Sequence, residues 1–185
     1  MRNPSYAVQG ISLFELLITL CILSILSFIV VPSFSAFISS YQVSIARENI
    51  ISAIQYSRLV AVQKNRRIVM LNNNGDWDSG WRIFIDEDGD AQMDPDEIEI
   101  ATQGGLQNIE ITSNTPVESY ISFVGTGESR LASQQSKGGL QMGSLSICHA
   151  SQELEGFKLF LSKVGRLRSE KLSVTECNNI KSATP

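Results

Sequence analysis

The chain has 185 residues, a net charge of −4 and a pI of about 5.0. This length suffices for one compact domain, and the acidic balance excludes a uniformly basic, nucleic-acid-coating protein. The charge is nevertheless uneven, because residues 86–99 hold eight acidic side chains and no basic one, whereas residues 158–171 hold five basic and one acidic. A local basic patch is therefore possible on an acidic protein.

The N-terminal segment is a short polar leader, residues 1–10, followed by an apolar run over residues 11–31. The one formal charge in that run is Glu15. A helix of this length spans roughly 30 Å, the thickness of a bilayer's hydrocarbon core. A carboxylate buried in a membrane is costly without a partner, so Glu15 is a candidate functional residue.

Three interpretations of this segment remain open. A secretory signal peptide normally has a more basic start and a shorter apolar region. A plain membrane anchor accounts for the length but provides no partner for Glu15. Cleavage between Gly10 and Ile11 would create a new amino group four residues from Glu15, which a neighbouring helix in an assembly could bring to that carboxylate.

The residues Gly-Ile-Ser-Leu-Phe-Glu-Leu-Leu-Ile-Thr-Leu at positions 10–20 resemble the processing signal of type IV pilins and type II secretion pseudopilins. The resemblance implies that a prepilin peptidase cuts after Gly10 and methylates the new terminus, Ile11, where the family usually has Phe. It also implies that Glu15 takes part in assembly with other pilins.

Residues 32–66 begin with Pro32, which is expected to bend the helix, and continue with a helical period. The predicted core face comprises Val43, Ala46, Ile50, Ala53, Ile54 and Ala61. This pattern indicates an amphipathic continuation of the first helix that packs on a globular domain, residues 67–185.

Strand patterns dominate the remainder of the chain. The predicted strands are residues 67–71, 80–86, 97–101, 108–112, 120–124, 145–148 and 156–163. The Gly- and Ser-rich residues 133–143 are predicted to form an exposed loop. Several strands after one long helix indicate an α+β fold with a β-rich antiparallel globular domain.

Further residues narrow the resemblance to the GspH/FimT branch of minor pilins and pseudopilins. They are Trp77, Gly80-Trp81, the strand ending in Asp86, and the C-terminal Gly-Arg-Leu-Arg at positions 165–168. The resemblance implies a long N-terminal helix packed on a β-rich domain.

The acidic loop that follows Asp86 allows two interpretations. Its carboxylates have the ligand spacing of a calcium loop, at positions 1, 3, 5, 9 and 12: Asp86, Asp88, Asp90, Asp94 and Glu97. Position six is Ala91 where glycine is preferred, Pro95 is unusual, and a strand rather than a helix precedes the loop. A solvated hairpin loop is the simpler interpretation, and we expect no metal and no cofactor.

The basic C-terminal segment is the candidate site. Phe157, Leu159 and Leu161 alternate with Lys158, Phe160 and Ser162, which predicts a strand with one core face. Gly165 permits a turn, after which Arg166 and Arg168 share one side of an extended segment, flanked by Lys163 and Lys171. Arginine binds phosphate oxygens in bidentate fashion, so backbone binding to double-stranded DNA without sequence preference is plausible chemistry for this segment.

The resemblance supports that chemistry, because the Gly-Arg-Leu-Arg stretch is similar to the GRxR motif of FimT-type minor pilins, which are associated with DNA capture in natural transformation. It assigns Arg166 and Arg168 as DNA contacts. Lys163 and Lys171 are added here on electrostatic grounds. The alternative is a basic hairpin that contacts acidic surfaces of neighbouring pilins or merely aids solubility.

Two cysteines, Cys148 and Cys177, are expected to form a disulfide if the domain is exported, the alternative being two buried thiols. Catalysis is not expected. His149 neighbours Cys148, but adjacent strand residues point to opposite faces.

The sequence thus predicts a minor type IV pilin that binds DNA. It would lie in the inner membrane as a single-pass protein with a periplasmic domain, and later in a pilus at the cell surface. The alternatives are a type II secretion pseudopilin without DNA binding and a simple anchored periplasmic domain.

Overall fold

The computed structural model describes residues 12–134, 138–151 and 153–182. Their elements in chain order are α1 (Leu13–Lys64), β1 (Ile68–Asn73), β2 (Asp76–Ile85), β3 (Glu99–Gln103), β4 (Ile109–Ser113), β5 (Tyr120–Phe123), β6 (Gly143–His149), β7 (Gly156–Leu161), β8 (Leu167–Leu172) and α2 (Val174–Ser182). The chain divides into two compact units, and the boundary between them falls in the sequence of α1, between Ile38 and Ser39.

In the first unit, α1 presents exposed apolar side chains on all sides. Leu13 and Phe14 are 85% and 70% exposed, and the large apolar residues that follow as far as Leu26 are exposed as well. The helix assignment continues unbroken through Pro32. Within the described residues, no helix meets the combined length and hydropathy that a membrane crossing requires. Gly10 and Ile11 lie outside the described residues, so the predicted span over 11–31 stays a prediction.

In the second unit, the helical period predicted from the sequence is confirmed. Five residues of the predicted face are at most 2% exposed, namely Val43, Ala46, Ile50, Ile54 and Ala61. The helix ends at Lys64, the next residue Asn65 has a φ of 50°, and the Arg66 amide donates to the Ala61 carbonyl. This left-handed residue followed by a 6→1 hydrogen bond is a helix stop that asparagine tolerates well.

Two four-stranded antiparallel sheets complete this unit, with strand orders β3-β2-β1-β5 and β4-β6-β7-β8. The helix face and inward side chains of both sheets form one core, which includes Trp77, Ile83, Phe123 and Leu159. The predicted α+β class with antiparallel strands is therefore confirmed. The predicted strands all have counterparts, whereas β8 was predicted only as an extended segment and α2 was not predicted.

The short helix α2 is attached to the second sheet by the predicted disulfide between Cys148 and Cys177, whose Cα atoms are 5.9 Å apart. Cys148 alternates with the core residue Ile147 and therefore projects from the outer face of the sheet. There it forms a small buried cluster with Leu172, Cys177 and Ile180. Because Leu172 is the last residue of β8, the disulfide holds α2 against the end of that strand.

Candidate nucleic-acid interface

The predicted basic segment forms a hairpin made of β7, a tight turn and β8. In the turn, the Gly165 amide donates to the Ser162 carbonyl and the Ser162 amide donates to the Arg166 carbonyl, at 2.8 and 3.0 Å. The Arg166 amide also donates to Ser162 Oγ at 3.1 Å. Gly165 has a φ of 73°, a conformation that favours glycine. The chain therefore reverses just before Arg166.

A second arginine, Arg58 of α1, fixes this turn to the helix. Its Nε donates to the Gly127 carbonyl at 2.9 Å, and its Nη2 donates to the Val164 carbonyl at 3.0 Å. A Cβ atom at Gly165 would lie 2.6 Å from the Gly127 oxygen and 2.8 Å from Arg58 Nε. Glycine is thus required at position 165 both by its dihedral angle and by the close approach of these groups.

The four predicted contact residues are all exposed at or beyond this turn: Lys163, Arg166, Arg168 and Lys171. Two of them have acidic partners. Arg168 pairs with Glu170, and the Lys171 ammonium lies 3.4 Å from Glu155. Both pairs are exposed, and such pairs contribute only about 0–1 kcal/mol and are weakened by salt. The carboxylates therefore reduce the local positive potential without preventing the cations from binding another anion.

The four cations do not share one face of the sheet. Arg168 pairs in register with Phe160, whereas Lys171 pairs with Phe157, which packs on the core. Directly opposed residues of neighbouring strands point to the same side. Arg168 consequently lies on the outer face and Lys171 on the helix-facing side at the sheet edge. A ligand that contacts both must wrap around the edge strand β8.

Phe160 belongs to the outer face, which confirms the predicted alternation along β7. Leu159 and Leu161 are 0% and 3% exposed, whereas Phe160 is only partly buried. The Lys158 ammonium lies 5.5 Å from the centre of the Phe160 ring, within the range of a cation–π contact. Lys158 thus adds a cation to this face that the sequence prediction did not include.

A groove of about 470 Å³ runs between α1 and the start of β8. Its walls are Gln55, Arg58, Leu59, Val62, Gly165, Arg166 and Leu167. Leu59 and Val62 are 59% and 50% exposed, so the helix side of the groove presents two apolar side chains beside Gln55 and Arg58, and the turn side presents Arg166.

The other predicted site residues lie away from this hairpin. Glu15 is in the first turn of α1, where a negative charge interacts favourably with the positive end of the helix dipole. Gly10 and Ile11 are outside the described residues. Cys148 is consumed by the disulfide, and the neighbouring His149 places its Nδ1 2.8 Å from Ser151 Oγ.

Arg58 is a second residue of this site, besides Lys158, that the sequence did not indicate. It occupies an ordinary position on an amphipathic helix, and its partners are backbone carbonyls separated from it by 69 and 106 residues. Backbone acceptors have no sequence signature. Only the requirement for glycine at the turn hinted that another group approaches the backbone there.

A family described as "Type II transport protein GspH" matches residues 46–165. The matched range ends immediately before Arg166, so the two arginines of the turn lie outside it. A search of curated proteins found no match.

Solved structures show the same fold. The type IV minor pilin FimU of Pseudomonas aeruginosa (strain PAO1) is 19% identical, with a TM-score of 0.56 over 75% of this chain and 94% of that chain. The minor pseudopilin EpsH from the Type 2 Secretion System of Vibrio cholerae is 12% identical, with a TM-score of 0.50 over 70% and 96%. The helix, the two sheets and the family match agree, and the chain belongs to the GspH family of type IV pilin-like proteins.

Proposed function

We propose that the protein is a minor type IV pilin that assembles through α1. Apolar side chains on every side of its first unit need either lipid or other helices around them, because water solvates them poorly. A single-pass location in the inner membrane before assembly, followed by a pilus, provides both environments in turn. Cleavage after Gly10 would supply the amine that pairs with Glu15 of a neighbouring subunit.

We also propose that the basic hairpin binds double-stranded DNA without sequence preference, through backbone phosphates. The observation that carries this proposal is the exposure of Arg166 and Arg168 beside a turn that Arg58 fixes to the helix. Guanidinium groups held on a rigid element lose little conformational freedom on binding phosphate. Lys163 and Lys171 extend the positive surface around the edge of the sheet. Natural transformation is the process in which such binding would serve, and the proposed role is binding rather than catalysis.

A structural pseudopilin of a type II secretion system is the second candidate function. The carboxylates of Glu170 and Glu155 favour it, because each partly neutralises one of the four cations. In that case the hairpin contacts acidic surfaces of neighbouring subunits and does not bind nucleic acid.

Electrophoretic mobility shift of a short duplex of random sequence by the full chain in detergent micelles distinguishes the two functions. The parent should retard DNA, with an apparent affinity that falls steeply as salt rises. The variant Arg166→Gln plus Arg168→Gln should reduce the slope of log affinity against log salt by about 2, since each phosphate contact contributes about 0.9.

The matched control is Lys64→Gln plus Arg82→Gln, which changes net charge equally at exposed positions of α1 and β2, outside the hairpin strands. It should retain most of the parent slope. Absence of a salt-sensitive shift in the parent, or equal losses in both variants, would contradict DNA binding by the hairpin and favour the pseudopilin role. Mass spectrometry of the mature N-terminus separately tests cleavage after Gly10, which a simple anchored domain would not show.

A further inference from the structure

A depression of about 600 Å³ lies at one end of the second sheet, where β6 begins and β7 ends. Phe160 and Met142 line it with apolar surface, and the Met142 side chain is 51% exposed. Lys163, an exposed cation of the basic hairpin, lines it as well. The depression therefore offers open apolar surface directly beside a positive charge, next to the cations that the proposed function assigns to DNA.

The Phe160 ring lies between a cation and this depression. Side chains of a strand project roughly perpendicular to the sheet, so the chain neighbours of Phe160 on the outer face are Lys158 and Ser162. The Lys158 ammonium lies over the ring, 5.5 Å from its centre. Ser162, on the other side, lines the depression together with the ring. A flat ligand that enters the depression can therefore stack on the side of the ring that Lys158 leaves open.

The polar groups around the ring suit the edge of a nucleobase. Asn114 and Ser144 both line the depression, and Asn114 Oδ1 accepts the Ser144 amide at 2.6 Å. That bond orients the Asn114 side chain, whose amide nitrogen is a donor. Ser162 Oγ accepts the Arg166 amide at 3.1 Å, and its hydroxyl hydrogen is a further donor. Because a nucleobase has flat faces and an edge of hydrogen-bonding groups, one base can use the ring and these donors together.

The charges around Phe160 match the phosphates that flank a base. Arg168 lies directly opposite Phe160 on β8, and Lys163 follows the ring by three residues. Glu170 pairs with Arg168 and lies opposite Lys158, so it reduces the positive potential of this face. That pair is exposed and weakened by salt, which allows Arg168 to exchange the carboxylate for a phosphate. A stacking ring with cations beside it is the combination by which proteins bind single-stranded nucleic acid.

Bases within a duplex are stacked on one another, so the form that can enter the depression is an unpaired base. We infer that the depression binds an unpaired base of single-stranded DNA, stacked on Phe160, with the flanking phosphates on Lys163 and Arg168. The inference rests on the proposed function, because it uses cations of the same hairpin, and it adds single-stranded DNA as a ligand. The outer face of the second sheet then belongs to the interface together with the hairpin.

The test is fluorescence anisotropy with the full chain in detergent micelles and three labelled probes: oligothymidylate, a blunt duplex, and the same duplex with a single-stranded overhang. The parent should bind oligothymidylate, and the overhang should tighten binding to the duplex. Phe160→Leu should weaken binding to oligothymidylate about fivefold or more, because base–aromatic stacking is lost. The slope of log affinity against log salt should stay unchanged, since no charge is removed. The loss should be smaller for the blunt duplex, whose bases are not free to stack on the ring.

The matched control is Tyr56→Leu, which also replaces an exposed aromatic ring by leucine, but on α1. It should bind all three probes like the parent. Phe160→Tyr keeps a ring and should restore the parent affinity. Ultraviolet crosslinking of the parent to a bromodeoxyuridine oligomer needs no substitution, so it tests the site even if Phe160→Leu does not fold. Mass spectrometry of the digested adduct should place the crosslink at Phe160.

Equal affinity of Phe160→Leu and the parent for oligothymidylate would overturn the inference, as would an equal loss in Tyr56→Leu or a crosslink confined to other residues. The two proposals fail separately. Duplex binding by the parent, with no effect of Phe160→Leu on single strands, would retain the hairpin's duplex binding and reject base stacking. Oligothymidylate binding that depends on Phe160, without duplex binding, would retain base stacking and reject the proposed function. A parent that binds none of the probes would reject both.

Discussion

The acidic loop, residues 86–97, and the basic hairpin formed by β7 and β8 each hold several charges of one sign close together, but they accommodate those charges in opposite ways. The loop folds around its own carboxylates: Asp88 and Asp90 accept the amides of residues two positions later, and Glu97 accepts the amides of Glu87 and Asp94. The hairpin instead projects its cations into solvent from an edge strand. In the loop, the carboxylates are occupied by hydrogen bonds from neighbouring amides. In the hairpin, the cations remain accessible to a binding partner.

The two regions also differ in how deeply their charged side chains are buried. Desolvation raises the pKa of Asp86, although the Gly89 amide and Arg67 oppose the shift. Exposed charges such as Arg168 keep most of their hydration, and salt screens them within about 8–10 Å. Removing a charge from the loop should therefore affect folding, whereas removing one from the hairpin should affect binding.

The largest effect is expected for Arg67→Met, which removes the ion-pair partner of buried Asp86. Leaving a buried charge uncompensated costs about 3–5 kcal/mol, and the bonds to Ser122 and Leu131 are lost as well. Urea denaturation in EDTA measures this change in unfolding free energy. The matched exchange Arg168→Met, at an exposed pair, should stay within about 0.5 kcal/mol of the parent.

A double-mutant cycle isolates the charge component of that effect. Asp86→Asn combined with Arg67→Met should be less destabilised than the sum of the single variants, because the second exchange removes the stranded charge. Simple additivity would show that Arg67 acts only through its bonds to the neighbouring loop, and the loop would then resemble the hairpin more closely than proposed.

The second effect concerns the disulfide that holds α2 beside the hairpin. Cys148→Ser plus Cys177→Ser should lower the unfolding free energy by about 3 kcal/mol, since the bridge closes a loop with a sequence separation of 29 residues. Chemical denaturation of the oxidised parent and the variant measures it. Cys21→Ser, at an exposed free cysteine of α1, is the control and should leave stability unchanged. Equal stability of all three proteins would contradict a stabilising role for the bridge.

The third prediction separates turn geometry from charge. Gly165→Ala should cost about 1–2 kcal/mol, because alanine is strained at a φ of 73° and its Cβ meets the Gly127 oxygen. DNA retardation should weaken as Arg166 is displaced, although no charge has changed. Gly104→Ala, where an added Cβ meets no atom within 4 Å, should alter neither property. Unchanged retardation by Gly165→Ala would mean that the turn's position is irrelevant to binding.

The sequence predicted those elements whose burial follows a simple period. The core face of α1 and the alternation along β7 are examples, since each depends on residues close in the chain. The carboxylate cluster was also predictable, because all of its members lie within one short loop. The disulfide followed from the expected compartment and the positions of the two cysteines.

Interactions between distant backbone groups were not predictable. The polar loop over residues 133–143 was expected to be exposed, yet Gln141 within it is 0% exposed. Its side chain accepts the Ser122 amide and donates to the carbonyls of Pro116 and Tyr120. A buried amide that satisfies several backbone groups is stable in the fold but carries no hydrophobic signal. Arg58 was not predicted for the same reason, because its hydrogen bonds to backbone carbonyls leave no pattern in the sequence.

Helix α2 was missed although it has a recognisable start, and its cap provides the smallest predicted effect. Ser173 and Glu176 form a capping box: the Glu176 carboxylate accepts the Ser173 amide at 2.8 Å, and the Glu176 amide donates to Ser173 Oγ at 3.3 Å. The hydrogen bonds from the Ser173 amide and hydroxyl lower the pKa of Glu176 below its ordinary value of 4.5. Stability from this carboxylate is therefore present above about pH 4.5 and is lost as pH falls through the lowered pKa.

Glu176→Gln should accordingly be less stable than the parent at neutral pH, and the difference should shrink as the pH is lowered toward 3. Urea midpoints measured across that range test it, with Glu153→Gln as the control that should track the parent throughout. The effect should be smaller than that of Gly165→Ala, because Ser173 and Glu176 are exposed and water competes for their hydrogen bonds. If Glu176→Gln matches the parent at neutral pH, the cap contributes nothing measurable. The disulfide and the contacts of Leu172 would then be what holds α2 beside the basic hairpin.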